Sequence, residues 1–221
     1  IFYKNNKEKF NGGIQNGNVE EIFFENVYEF LIPRSPLDFY VLDIGANIGD
    51  SAIYFAPNSA KRVFGIEPCK NSFERAIENI SQNNLSEKIE IINALYGQDG
   101  SIYVSDEEGF PGSSLVKNDS GKMLNVFSLK SLIDKFHLNL YKNVFLKVDC
   151  EGCEYYLLNE DDDVIKTFTK ISIEYHYGQE KLVNKLKECG FTVEYTKPEK
   201  SYNSDARSHM LKGMIYAEQG K

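Results

Sequence analysis

The sequence predicts an α/β fold built on a doubly wound, Rossmann-like sheet, mostly parallel with an antiparallel final strand. Three observations carry that prediction. An apolar run, Val41-Leu-Asp-Ile44, stops at a glycine turn, Gly45-Ala-Asn-Ile-Gly49, and opens a helix at Asp50. A second apolar run, Val63-Phe-Gly-Ile66, ends in a carboxylate, Glu67, 22 positions after Gly45. From there to the end of the chain, apolar runs alternate with amphipathic stretches, the pattern of repeated strand–helix units. A chain of 221 residues is most economically one domain around one core.

Residues 1–36 read as an N-terminal lead-in or cap and 37–221 as the folded unit. Residues 1–18 are polar, rich in Asn, Lys and Gly, and read as a mobile lead-in or short helical cap. Glu21 to Leu31 is apolar and aromatic enough for a strand or hairpin, broken by Pro33 and Pro36. Strand 1 is expected at Tyr40–Ile44, a helix from about Gly49 to Ala56, and strand 2 at Arg62–Glu67. In the next helix Phe73, Ala76, Ile77 and Ile80 fall at i, i+3, i+4 and i+7, one apolar face against a sheet. Strand 3 is Ile89–Leu95.

Residues 100–127 interrupt the alternation with four glycines, a Phe-Pro-Gly turn and two β-like pieces, Ser101–Val104 and Leu124–Phe127. An insertion hung after strand 3 lies over the carboxyl ends of the strands, so a lid is expected. Ser128 is a plausible N-cap for a helix that places Leu129, Leu132, Ile133 and Phe136 on one face. Strand 4 is Val144–Asp149, a helix starts near Glu154, and strand 5 is Ile171–Tyr175. Leu182, Val183 and Leu186 face inward from a helix stopped by Gly190. Phe191, Val193 and Tyr195 alternate as an edge strand, and Leu211–Ala217 returns as the last strand.

Composition excludes several classes. Hydrophobic content of 42% and charged content of 26% are ordinary for a globular chain. No apolar run reaches the ~20 residues of a membrane span. The first ten residues lack the apolar centre of a signal peptide. Ile1 is not an initiator Met, so the chain is expected to be a fragment or a processed form. A formal net charge of −8 repels phosphate backbones, so no general nucleic-acid partner is expected. The Asn/Asp/Ser-Pro-Pro-Tyr signature of nucleobase N-methylation is absent as well. Four cysteines are too few for a disulfide scaffold. Cys150-x-x-Cys153 invites a zinc or redox reading, but Cys69 and Cys189 stand apart and no second ligand pair exists. Reduced thiols flanking a turn are the expectation, and with them a cytoplasmic location.

The glycine turn and the acid 22 positions later make one half of a nucleotide site, with close backbone approach at the turn and ribose hydroxyls on the acid. The spacing is Gly-x-x-x-Gly, and no Gly-x-Gly-x-x-Gly occurs, so the third glycine that seats a pyrophosphate is missing. S-adenosylmethionine has no phosphate, and its ammonium and sulfonium suit Asp43 and Asp50 on either side of the turn. Four segments then carry a resemblance: Leu42-Asp-Ile-Gly-Ala-Asn-Ile-Gly-Asp50, Gly65-Ile-Glu-Pro68, Asn93-Ala-Leu95 and Leu146-Lys-Val-Asp-Cys-Glu-Gly-Cys-Glu154. The chain resembles the FkbM-type family of S-adenosylmethionine-dependent methyltransferases from about Val19 to Ala217. Tyr28 and Gly213-Met-Ile-Tyr-Ala217 also fit. The family's usual Leu-Asp pair at the helix start is Leu129-Lys130 here.

The resemblance implies transfer of a methyl group to a hydroxyl of a sugar, glycolipid, polyketide or similar metabolite, leaving S-adenosylhomocysteine. Asp43, Gly45, Asn47 and Gly49 are expected along the cofactor's methionine tail, with Ala46, Asp50 and Pro68 in the same motifs. Glu67 is expected on the ribose, and Asn93 and Ala94 along the adenine. Acceptor-side candidates are Lys147, Asp149, Glu151 and Glu154 after strand 4, and Glu174 and His176 at the end of strand 5. Lys147 reads equally as a strand lysine paired to a neighbouring carboxylate. Asp149, Glu174 and His176 are expected to converge, either as a general base oriented by a carboxylate or as a divalent-metal site, with the metal-free form favoured. A non-catalytic cofactor-binding module of the same fold is the alternative function.

Overall fold

A computed structural model describes residues 2–3, 8–9, 22–23, 25–104, 122–200 and 210–220. The central sheet is assembled from β1 (Phe39–Ile44), β2 (Ala60–Ile66), β3 (Ile89–Ile92), β7 (Val144–Val148), β8 (Lys170–Tyr175), β9 (Phe191–Tyr195) and β10 (Leu211–Gln219). Their order across the sheet is β9-β10-β8-β7-β1-β2-β3. The ladders from β8 to β3 are parallel, and β10 runs antiparallel to both of its neighbours. The interior strands are buried along their length, so they read as continuous apolar runs rather than alternations.

Two apolar layers flank the sheet. One packs α3 (Leu129–Lys135), α4 (Asp162–Ile165) and α5 (Glu180–Glu188) around Leu42, Leu146, Phe64 and Ile173. The other gathers α1 (Asp50–Phe55), α2 (Lys70–Gln82) and the N-terminal segment around Val41, Phe39 and Phe145. Ser128 caps α3, its hydroxyl accepting from the Ser131 N–H at 3.1 Å, as its place before the apolar face predicts. β4 (Leu95–Tyr96), β5 (Gly100–Val104) and β6 (Lys122–Phe127) form a separate three-stranded sheet. It contains both β-like pieces of the insertion. Of the lid expected over residues 100–127, residues 105–121 lie outside the described residues.

Some expectations need correcting. The strand or hairpin expected over Glu21–Leu31 is not found among its described residues: Ile22 and Phe23 are helical, and Glu29–Leu31 is a 3-10 turn closed by Leu31 N–H to Tyr28 O. Its aromatic and branched residues report burial, since Ile22, Phe23, Tyr28 and Leu31 enter the core, and β-propensity measures that fit as much as backbone preference. On α2 the buried face runs Ser72, Ala76, Asn79 and Ile80, leaving Ile77 44% exposed. Asn79 takes the inner position because its amide donates to Ile48 O at 2.8 Å, beneath the glycine turn. The segment after β7 winds as a 3-10 helix, Cys153–Asn159. Near the N-terminus, Phe2–Tyr3 pairs antiparallel with Glu8–Lys9 where a lead-in was expected. Among the described residues no helix is long and apolar enough to cross a membrane.

Candidate active site

The site forms where the carboxyl ends of β1, β7 and β8 meet, the ligand side of an open α/β sheet. Gly45 leaves β1 at φ +80°, and a Cβ there would lie 1.8 Å from Asp149 O. Glycine is therefore obligatory, because the turn after β1 packs directly on the backbone leaving β7. Lys147 fastens the two from below. Its ammonium is fully buried, pairs with Asp43 Oδ1 at 2.9 Å and donates to Gly45 O at 2.6 Å. Asp43 Oδ2 accepts from Ser51 Oγ at 2.6 Å, so both of its oxygens are engaged beneath the turn. Burial disfavours the Lys147 ammonium, but Asp43, Asp149 and Asp50 outweigh it and raise its pKa. Lys147, read from sequence both as a catalytic candidate and as a strand lysine paired to a neighbouring carboxylate, makes that pairing here. Asp43, expected on the methionine tail, is its partner.

A cleft of about 100 Å³ opens over this clasp, and Tyr28, Gly45, Asn47, Asp50, Asp149 and Glu174 are among the residues lining it. Asp50 sits in the first turn of α1, 2% exposed, with Oδ1 accepting from Ser51 N–H at 2.9 Å. Its Oδ2 is buried and meets no donor among the described residues, and the same holds for Asn47 Oδ1. Burial pushes the Asp50 carboxyl up to about 7, against the pull of Lys147 and the Ser51 N–H. Two such acceptors in and beside one turn are a costly arrangement unless a donor or a cation meets them.

The other expected cofactor residues are tied into the turn's surroundings. Glu67 accepts from the backbone N–H groups of Asn47 at 2.9 Å and Cys69 at 2.8 Å, and burial raises its pKa to about 7. The Asn93 amide donates to the carbonyls of Glu67 and Pro68, bracing that loop. Ala46 and Ala94 are buried, and Gly49, at φ +83°, packs on Ala76. Gly45, Asn47 and Asp50 thus border the cleft, while Asp43, Ala46, Gly49, Glu67, Pro68, Asn93 and Ala94 build what supports it.

On the opposite wall Asp149, Glu174 and His176 come together, with one ligand atom of each within 4.8 Å of the others. Tyr28 donates to Asp149 Oδ2 at 3.3 Å. Lys212 lies 3.5 Å from Glu174. His176 is almost wholly buried. Its backbone N–H and Nδ1 both reach Glu154 Oε1 at 3.0 Å, and Nε2 stands 3.8 Å from Glu151. Burial disfavours the imidazolium, yet the Glu154 hydrogen bond and the charges of Glu154, Asp149 and Glu174 prevail, raising its pKa to about 9. In this arrangement the protonated form of the ring is favoured at neutral pH.

The loop between these groups differs from expectation. Cys150 and Cys153 form a disulfide, where free thiols were expected. Both side chains fall on one side of a turn in which Glu151 (φ 56°) and Gly152 (φ 117°) are left-handed, and that reversal brings positions three apart together. Sequence reasoning also missed Lys212. The antiparallel register Glu174↔Met214 places it beside Glu174, and no spacing along the chain encodes that.

With the geometry in hand, comparison with known proteins is informative. A family model described as the methyltransferase FkbM domain matches residues 43–193. No curated protein matches the chain. Methyltransferase FkbM from Methylobacillus flagellatus KT is similar in fold, at TM-score 0.56 and 15% identity, over 90% of this chain and 47% of that one. The METTL16 methyltransferase domain gives 0.51 and 14%, over 88% and 65%. TrmK from M. capricolum, solved with S-adenosyl-homocysteine, gives 0.50 and 12%, over 89% and 68%. The chain spans 36% of EvdMO1 and 47% of the Methylobacillus protein, less than half of each.

Proposed function

The chain belongs to the methyltransferase FkbM domain family, and from that premise we propose that it uses S-adenosylmethionine to methylate a hydroxyl of a sugar, glycolipid, polyketide or similar metabolite. Residues 37–221 are the catalytic unit in this reading, with 1–36 as its cap. One observation carries it: a cleft bordered by Asp50 and Asn47, whose Oδ2 and Oδ1 meet no donor among the described residues, and by Asp149 and Glu174, which cluster with His176. An unpaired carboxylate oxygen beside an amide oxygen fits an ammonium.

When bound, the cofactor supplies an electrophilic methyl group on a sulfonium. Asp50 and Asn47 would hold the tail's ammonium, and Glu67, once ionised, would receive the ribose hydroxyls. Asp149, which borders the cleft, would take the proton of the acceptor hydroxyl, whose oxygen would receive the methyl group that the sulfonium releases. Such a base contributes roughly 10²–10⁴-fold, and oriented approach up to about 7–11 kcal/mol. His176, held as a cation by Glu154, steadies the cluster's negative charge. Titration calorimetry with S-adenosylhomocysteine tests this reading. Binding is expected, with Glu67→Ala weakening it about 10- to 150-fold, the worth of a hydrogen bond to a charged group. Preference for NAD over S-adenosylhomocysteine would overturn it.

The convergence of Asp149, Glu174 and His176 favours a second reading of acceptor activation, with a divalent cation among them. Two carboxylates and an imidazole suit manganese, zinc or magnesium. Activity that survives exhaustive EDTA removes this version and leaves the carboxylate base.

A further inference from the structure

Beside the acid cluster, on the same rim of the sheet, lies a second and larger cavity of about 640 Å³, within the range of small-molecule sites. Tyr155, Tyr177, Gln179, Glu180, Lys181 and Leu211 are among its lining residues. It adjoins the cleft through two single steps of chain. His176 belongs to the acid cluster and Tyr177 to the cavity. Likewise Glu151 lines the cleft, while a Cβ on Gly152 would lie 3.3 Å from the Tyr177 ring. Glu67 and Asn93, the cofactor's side, end strands on the far side of β1.

Tyr177 is held rigidly and yet exposed. Its N–H donates to Tyr155 Oη at 2.9 Å, and that hydroxyl donates to Gly178 O at 2.7 Å. Leu211 N–H reaches His176 O and Gly178 N–H reaches Leu211 O, fixing the backbone on both sides. The ring remains 56% exposed. An aromatic face on a fixed backbone binds with little ordering cost, which is how binding surfaces use tyrosine. Gln179, Glu180 and Lys181 add hydrogen-bonding groups around that face. A plain hydrocarbon would leave those groups unused. A pyranose, with an apolar C–H face and a rim of hydroxyls, uses both.

We propose that this cavity seats a pyranose ring of the acceptor, stacked on Tyr177, while a hydroxyl of the same molecule reaches Asp149. The proposal rests on the O-methylation reading of the neighbouring cleft. Saturation-transfer NMR on the full chain, in the presence of S-adenosylhomocysteine, tests it with methyl glycosides of the common hexoses, pentoses and 6-deoxyhexoses, and with octyl glucoside. Transfer to pyranose ring protons is expected from at least one glycoside. It should weaken about 2- to 10-fold in Tyr177→Ala, the worth of an aromatic contact, and persist in Tyr177→Phe. Tyr177 is exposed, so an unchanged melting temperature checks that the variant folds. No transfer from any glycoside, transfer indifferent to Tyr177→Ala, or transfer confined to the octyl chain would overturn the proposal. Loss of S-adenosylhomocysteine binding in calorimetry, with glycoside transfer intact, would instead overturn the methyltransferase chemistry and leave the sugar seat standing.

Discussion

Lys147 shows how a residue can be legible in kind and illegible in role. A lysine inside an apolar strand signals a partner, and the motif containing it signals a site. Only the parallel register, which sets Asp43 directly opposite Lys147, reveals that the partner lies across β1 and that the pair holds the glycine turn. Removing one member of a buried pair strands the other charge, at about 3–5 kcal/mol. Lys147→Met should lower the unfolding free energy by about that much, and Asp43→Leu/Lys147→Met should recover most of the loss. Denaturant titration of the single and double variants checks this, and additive losses would mean the two are independent. Gly45→Ala should fare worse, because its Cβ meets backbone that cannot swing aside. The glycine was legible from the turn pattern. Its neighbour Asp149 O, over 100 positions away, was not. Asp50 was legible through its place after the turn, whereas its orphaned oxygen is a product of packing.

Elements follow the sequence closely wherever the hydrophobic period is long. The strand–helix alternation placed the sheet strands and the main helices to within a few residues. Short segments with mixed signals were misread for a common reason: an aromatic residue is equally at home in a strand or on a 3-10 turn when its ring is buried. The segment after β7 is the instructive case. Lys147 to Glu154 reads as a motif, but its shape depends on two left-handed residues and a disulfide closing four positions, and spacing alone does not distinguish thiols from a bridge. In the chain-entropy account, closing so short a loop contributes about 2 kcal/mol. Cys150→Ser/Cys153→Ser should lose stability of that order, read from the denaturation midpoint at an unchanged slope. A much larger loss would mean that the bridge also anchors Glu154 beneath His176.

At the scale of the molecule, the sheet order divides the ligand rim into two halves, with β2 and β3 carrying Glu67 and Asn93 and β8 and β10 carrying the acid cluster and the tyrosine cavity. That division was legible from the alternation, but the concentration of negative charge at the seam emerges only in three dimensions. Three buried groups there hold protons that an unfolded chain would release. Asp50 and Glu67 are pushed up to about 7, so the stability linked to their protons is present at low pH and is lost as pH rises through about 7. His176, raised to about 9, contributes stability that is full below its unfolded value near 6.5 and lost as pH rises through about 9. All three slopes have the same sign, so the free protein should lose stability steadily between about pH 5 and pH 9, as urea titrations across that range would show. A cationic ligand reverses part of this at Asp50, since an ammonium against Oδ2 favours the ionised carboxylate. Binding of S-adenosylmethionine just below pH 7 should therefore release a proton to the buffer. Calorimetric enthalpies measured in two buffers of different ionisation heat would then differ, and Asp50→Asn should narrow the gap, leaving only the share that ionisation of Glu67 supplies. Identical enthalpies for the unaltered protein would mean that no net proton leaves on binding, and that Asp50 does not meet the cofactor's charge.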